Sequence, residues 1–162
     1  MTRTSYAIGL GSNRRGRHGG PAAEIAAALA AIAAGGDTVC AVSPVIATPA
    51  MGPSIRRFAN AAALVDSDLA PPAMLAWLKA IERDLGRRRG RRWGARPIDL
   101  DIILWSGGTW RARDLTIPHG AFRSRDFVLV PLAAVAGRWR DPLTHRHIRQ
   151  LRTMVDRRRP CP

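Results

Sequence analysis

The chain has 162 residues, 46% of them hydrophobic, which suits a single folded domain with a buried core. Its 26 basic and 12 acidic residues give a formal net charge of +14 at pH 7, so we expect an anionic partner such as a nucleotide, a nucleic acid or a membrane surface. The two cysteines, Cys40 and Cys161, are too few for a disulfide framework, and the alanine-rich run 22–34 is too short to cross a bilayer, so the composition predicts a cytoplasmic protein.

Strand-like and helix-like patterns alternate along the first two thirds of the chain. Period-two alternation or β-branched residues predict strands at 5–10, 38–48, 58–65 and 98–104. Between them, apolar residues at helical spacing predict two helices, each opened by proline and closed by glycine. The first helix begins at Pro21 and ends at Gly35, and the second begins at Pro71 and ends at Gly86.

This order of strand, helix, strand, strand, helix and strand is the ferredoxin-like βαββαβ plan, an α+β fold in which helices cover one face of an antiparallel sheet. We assign the core of a single domain to residues 4–136 and a helical extension to residues 137–162. Further along the chain, the patterns predict a short strand at 114–117, a helical turn at 131–136 and a final helix at 145–155.

The stretch 86–104 joins two unlike pieces. Residues 87–96 contain six arginines, interrupted by glycines, and a predicted strand follows. Alternation along that strand places Asp99 and Asp101 on one face. The opposite face is expected to carry the apolar residues Ile98, Leu100, Ile102 and Leu104.

Two neighbouring carboxylates repel each other, and a divalent cation removes that conflict. Magnesium is commonly held by one or two carboxylates, with water and substrate phosphates completing its shell. Arginines beside the cation can clamp phosphate oxygens through their planar donor groups. The stretch therefore predicts phosphoryl transfer, in which positioning and charge neutralisation supply most of the catalysis.

The same stretch, GRRRGRRWGARPIDLD at 86–101, resembles the central signature of the 6-hydroxymethyl-7,8-dihydropterin pyrophosphokinases of folate synthesis. The matching positions are Gly86, Arg87, Arg89, Arg92, Trp93, Gly94, Arg96, Ile98, Asp99, Leu100 and Asp101. The resemblance extends from the first strand to about Ala136, because segments 7–13, 48–61, 117–119 and 125–132 also look like family motifs.

The resemblance implies a diphosphate transfer from ATP to the pterin, with two Mg²⁺ ions held by Asp99 and Asp101. The arginines implied to neutralise the phosphates are Arg87, Arg92 and Arg96. The residues implied on the ATP side are Glu82, Arg89, His119 and Arg125. The residues implied around the pterin are Thr48, Pro49, Met51, Phe58, Asn60, Trp93 and Phe127.

Two residues depart from the family pattern. Gly120 follows His119 where the family often carries tyrosine or proline, and Lys79 stands where a neutral polar residue can assist nucleotide binding. These departures bear on ATP affinity and rate, whereas the metal pair is retained. A diverged relative that binds pterin with weak activity is therefore one alternative interpretation.

A basic RNA-binding module is the other alternative, because the βαββαβ plan also serves RNA binding and the charge is high. Phenylalanine, tyrosine and tryptophan make up only 6% of the chain, however, and the aspartate pair would repel a phosphate backbone in the absence of a metal. We therefore expect small-molecule substrates, a monomer, and neither a nucleic-acid nor a membrane partner.

Overall fold

The computed structural model describes residues 2–48, 57–86 and 97–158 of the chain. The strands in this part are β1 (Thr4–Ser12), β2 (Thr38–Val42), β3 (Ile46–Thr48), β4 (Phe58–Ser67), β5 (Asp99–Trp105), β6 (Trp110–Ala112) and β7 (Leu115–Ile117). The helices are α1 (Pro21–Ala34), α2 (Pro71–Asp84), α3 (Asp126–Ala136) and α4 (Ile148–Arg157), with a short 3-10 helix at Phe122–Ser124. No helix in these ranges is long and apolar enough to cross a membrane.

The main sheet has the strand order β2-β4-β1-β5, and each neighbouring pair is antiparallel. This arrangement confirms the predicted α+β class and the ferredoxin-like core. The strand predicted at 38–48 is divided into β2 and β3, which both pair with β4. Pro44 lies at the break because it has no N–H to donate to a strand ladder. Beside it, the Ser43 hydroxyl accepts a hydrogen bond of 2.8 Å from the Ala62 N–H.

One face of the sheet is covered by α1 and α2, as the helical spacing predicts. Tyr6, Ile8 and Leu10 of β1 are buried against apolar residues of both helices, such as Ile25 of α1 and Leu78 of α2. The two predicted helices therefore bury the apolar stripes that identified them in the sequence.

The opposite face of the sheet is also covered over part of its area, which differs from the predicted one-sided cover. A second cluster joins Leu129 of α3 and Leu151 of α4 to Ala7 and Ile103 of the sheet. Helix α3 begins at Asp126 and contains Pro131 in its interior. It is therefore five residues longer at its start than the turn predicted at 131–136.

The final helix begins later than predicted. His145 has a φ of 59°, outside the right-handed helical region, and α4 starts three residues further on, at Ile148. Within the predicted extension, the structure has α4 at Ile148–Arg157, and residues 159–162 lie outside the described part of the chain. The division into a core and an extension stays a prediction.

The predicted orientation of Leu104 is wrong. The pairing of β1 with β5 shifts between Ala7 and Ile8, which pair with Leu104 and Ile102, so Ile103 is an extra residue on β5. A β-bulge of this kind reverses the alternation beyond it. Leu104 consequently lies in the second cluster, on the face opposite Leu100.

A buried ion pair fastens the extension to the 3-10 helix. The Asp141 carboxylate is 0% exposed and accepts two hydrogen bonds of 2.7 Å from the Arg123 guanidinium. Burial alone would raise the pKa of Asp141, but hydrogen bonds from Arg123, Thr144 and the Leu143 N–H, together with the Arg123 charge, outweigh it and lower the pKa from 3.8 to about 2.

Candidate active site

The predicted functional residues that the structure describes on β4 and β5 lie on the second face of the sheet, at one end of β1. Gly11 of β1 pairs with Asn60 of β4 on one side and with Asp99 of β5 on the other. One register step along, Gly9 pairs with Ala62 and with Asp101. Because strands are spaced about 4.8 Å apart, the Asn60 and Asp99 backbones are about 10 Å apart across Gly11.

The two glycines keep this end of the face open. A Cβ atom added at Gly11 would lie 3.3 Å from Oδ1 of Asn60, and one added at Gly9 would lie 3.2 Å from Cδ1 of Ile103. Both distances are shorter than ordinary van der Waals contacts. A strand-interior glycine often marks a close approach of a ligand or backbone, and this signal was missed in the sequence.

Asp99 and Asp101 share the face predicted from the alternation. Both are partly exposed, and the side chain of Asp101 keeps 43% of its accessible surface. Between them, Leu100 points to the opposite face and is buried in the first core. The pair is therefore held on a rigid strand while its carboxylates remain accessible to solvent.

The chemistry of this pair fits a magnesium site completed by substrate. Hard carboxylate oxygens suit Mg²⁺, which usually keeps several positions for water and phosphate oxygens. In the described ranges, no group of three or more histidine, cysteine, aspartate or glutamate residues is arranged to hold a metal. Two carboxylates leave ligand positions open, so the pair is suited to a metal that arrives with phosphates.

Glu82 and Lys79 of α2 contact the outer edge of β5. Glu82, predicted on the ATP side, is 1% exposed, and its Oε1 accepts a hydrogen bond of 2.7 Å from the Leu100 N–H. Lys79 Nζ donates to the Leu100 carbonyl at 3.0 Å and to Glu82 Oε1 at 2.8 Å. In the structure Glu82 supports β5, and a contact of Glu82 with ATP stays a prediction.

Asn60 and Thr48 bring two strands together on the predicted pterin side. Asn60 is buried, and its Nδ2 donates a hydrogen bond of 3.0 Å to Thr48 Oγ1. Phe58 is partly buried at the start of β4, where it pairs with Thr48. Phe127 lies in the first turn of α3, which packs along β4. The other predicted pterin residues, Pro49, Met51 and Trp93, lie outside the described residues.

His119 and Arg125, the residues predicted to contact phosphate after β5, lie between the end of β7 and the start of α3. The His119 N–H donates a hydrogen bond of 3.0 Å to the Ile103 carbonyl, which ties the segment after β7 to β5. His119 Nδ1 accepts a hydrogen bond of 3.3 Å from the Ala121 N–H, so a neutral His119 carries its proton on Nε2. The exposed Arg125 guanidinium lies 5.9 Å from the Phe127 ring centroid.

The predicted phosphate arginines Arg87, Arg89, Arg92 and Arg96 lie outside the described residues. In the sequence they lie between α2 and β5, the two elements that the hydrogen bond from the Leu100 N–H to Glu82 joins. Arg17, from the loop after β1, donates to the Asp84 carbonyl at 2.6 Å and thereby reaches the end of α2.

Comparison with known families tests the resemblance directly. Residues 7–137 match the family model of 7,8-dihydro-6-hydroxymethylpterin-pyrophosphokinase (HPPK). The chain belongs to the HPPK family. The matched region runs from the middle of β1 to the end of α3, so it includes every described residue of the site.

Curated HPPK relatives show the same similarity over most of the chain. The 2-amino-4-hydroxy-6-hydroxymethyldihydropteridine pyrophosphokinase of Pseudomonas aeruginosa is 40% identical over 146 residues, 89% of this chain and 87% of the relative. The enzyme of that name from Synechocystis is 41% identical over 107 residues, 66% of this chain and 55% of the relative. The chain therefore spans little more than half the length of the Synechocystis protein.

The fold of this HPPK chain is also similar to that of solved structures. A crystal structure of an HPPK-DHPS in complex with substrates superimposes with a TM-score of 0.73 over 94% of this chain and 43% of that chain. The sequence identity is 14%, so this likeness supports the fold alone. The HPPK assignment confirms the family interpretation over that of an RNA-binding module.

Proposed function

We propose that this chain transfers diphosphate from ATP to the hydroxymethyl group of 6-hydroxymethyl-7,8-dihydropterin in folate synthesis. The hydroxyl oxygen attacks the β-phosphorus and releases its proton to solvent. The bond from the β-phosphorus to the oxygen that bridges it to the α-phosphorus breaks, and AMP leaves with that oxygen. The observation that carries the proposal is the row of Asn60, Gly11 and Asp99 across three strands, with Asp101 one register step away. It supports the proposal because the Asn60 amide, on the expected pterin side, and the Asp99–Asp101 carboxylate pair, the proposed metal ligands, lie about two strand spacings apart.

Asp99 and Asp101 are the residues that would hold Mg²⁺, for which we propose two ions. When bound, Mg²⁺ supplies charge neutralisation and polarisation at the transferred phosphates. The aspartates themselves contribute a fixed position, because Leu100 is buried between them and its backbone is hydrogen-bonded to Lys79 and Glu82. Catalysis of this kind depends on such positioning.

The pterin would lie against the β4 side of the row. The Asn60 amide group donates to Thr48 through Nδ2, and its Oδ1 lies beside Gly11 on the open face, where it can accept a hydrogen bond from a pterin N–H. Phe58 and Phe127 would stack on the two faces of the flat ring. Met51, Pro49 and Trp93 are proposed to complete this pocket by family resemblance.

The phosphates would lie against the β5 side, within reach of cationic and N–H donors. His119 in its neutral form presents Nε2–H as a donor, because its Nδ1 already accepts from the Ala121 N–H. Arg125 adds an exposed positive charge close by in the chain. Arg87, Arg89, Arg92 and Arg96 are proposed to neutralise the phosphate charge.

The deciding experiment measures AMP and pterin diphosphate formed from ATP, Mg²⁺ and 6-hydroxymethyl-7,8-dihydropterin. Asp99→Asn and Asp101→Asn should each lower turnover by about a thousandfold, because each removes a charge from the metal pair. Asp114→Asn is a matched control, since Asp114 is an exposed aspartate in the turn between β6 and β7.

Near-normal turnover in either variant, with the protein folded, would contradict the metal assignment. No product from the unaltered chain would contradict the proposed reaction itself. A monomeric state and a cytoplasmic location stay predictions, and sedimentation equilibrium of the purified chain tests the first.

A further inference from the structure

The outer edge of β5 is held by side chains instead of a neighbouring strand. β5 pairs with β1 at one edge of the main sheet, and an edge strand presents unpaired N–H and C=O groups. At Leu100 both outward groups are bonded by α2, the N–H to Glu82 and the carbonyl to Lys79. We call these three residues the β5 clasp.

The clasp also places a positive charge beside the carboxylate pair. Lys79 Nζ donates to Glu82 and to the Leu100 carbonyl, and it lies 4.0 Å from Oδ1 of Asp101. Two hydrogen bonds already order the ammonium group, so holding it near Asp101 costs little further side-chain conformational entropy. The Lys79 side chain is 34% exposed, which leaves it open to solvent and to a phosphate.

A fixed ammonium at this distance acts differently on a bare cation and on a nucleotide. It attracts the Asp101 carboxylate and repels a divalent cation bound there, so it weakens metal binding to the nucleotide-free site. Triphosphate oxygens remove the unfavourable effect of the ammonium on metal binding. The ammonium attracts these oxygens, and this attraction offsets its repulsion of the metal. Binding linkage then requires that nucleotide raise metal affinity and that metal raise nucleotide affinity by the same factor.

We propose that Lys79 is a positioning residue that couples metal loading of the aspartate pair to nucleotide binding. Its ammonium disfavours free divalent cation at Asp101, and a triphosphate that arrives with the cation removes this penalty. This inference rests on the proposed function in one respect, namely that Asp99 and Asp101 are the metal ligands.

Lys79→Gln separates the charge from the hydrogen bonds. Glutamine can still donate to Leu100 or Glu82, but it carries no charge. We expect this variant to bind Mn²⁺, used as the probe, about fivefold to tenfold more tightly without nucleotide, a size that allows for solvent screening of a half-exposed pair. With α,β-methylene ATP present, the difference should fall to within about twofold. Lys79→Arg keeps the charge and should resemble the unaltered chain.

The measurement is Mn²⁺ titration of the full chain by electron paramagnetic resonance, without and with α,β-methylene ATP. Lys79→Met is a second neutral variant and should show the same tightening, which separates loss of charge from any new glutamine contact. Asp101→Asn serves as the control for the site. Thermal unfolding of each variant identifies loss of fold independently of metal binding.

The outcomes distinguish the inference from the proposed function. If Asp101→Asn abolishes Mn²⁺ binding and both neutral Lys79 variants bind Mn²⁺ like the unaltered chain, the coupling role is wrong while the metal site stands. If Asp101→Asn leaves Mn²⁺ binding unchanged, the metal assignment fails and the inference fails with it. Tightening in both neutral variants that disappears with α,β-methylene ATP supports the coupling role.

Discussion

Replacing Glu82 with alanine tests how β5 is held at its outer edge. The substitution removes the acceptor of the Leu100 N–H, and it also removes a hydrogen-bond partner of Lys79. Since Leu100 is buried, its N–H would lose its hydrogen bond inside the protein. Glu82→Gln retains an acceptor oxygen of nearly the same shape and loses the charge.

The expected loss of stability follows from these contacts. A buried donor left unsatisfied costs about 1–3 kcal/mol, and hydrogen bonds to charged groups contribute about 1.5–3 kcal/mol. Because both figures describe the same Leu100 hydrogen bond, they are not added, and we expect Glu82→Ala to lower the free energy of unfolding by about 1.5–3 kcal/mol. Glu82→Gln should lose about 1 kcal/mol, as the acceptor remains.

Urea unfolding followed by circular dichroism measures both values. Asp84→Ala is the matched control, because Asp84 is an exposed acidic residue two positions along the same helix and should change stability by less than about 0.5 kcal/mol. If Glu82→Ala changed stability no more than Asp84→Ala, the clasp would not support β5. Equal losses for the alanine and glutamine variants would instead assign the effect to charge alone.

Two further predictions concern the extension and the pterin side. The pKa of Asp141 in the folded protein is about 2, below its ordinary 3.8, so its ionised form stabilises the fold above about pH 4. This contribution is at most about 2 kcal/mol, and it is lost as the pH falls from about 4 to about 2. Urea titrations should therefore show the stability difference between the unaltered chain and Asp141→Asn shrinking over that window, and a constant difference would contradict the ion pair. Asn60→Ala should weaken 6-hydroxymethylpterin binding about tenfold or more by calorimetry with Mg²⁺ and α,β-methylene ATP, while nucleotide affinity stays within about twofold. Unchanged pterin affinity would remove Asn60 from the site, and Thr48→Val controls for loss of the Asn60–Thr48 hydrogen bond.

The sequence alone determined the features that depend on local pattern. Helical spacing identified α1 and α2, because each buries one stripe of its own side chains. Period-two alternation placed Asp99 and Asp101 on one face of β5, because neighbouring side chains of a strand point in opposite directions. The family signature predicted the site residues, and family comparison confirmed the family itself.

Tertiary structure decided the features that depend on residues distant in the chain. The bulge that turns Leu104 to the second face arises from the register between β5 and β1, and neither strand specifies that register alone. Likewise, Pro131 suggests a helix start by composition, but α3 continues through it while packing against the sheet. The contacts of Lys79 and Glu82 with Leu100 join residues 21 and 18 positions apart, so they form only once α2 lies beside the edge of β5.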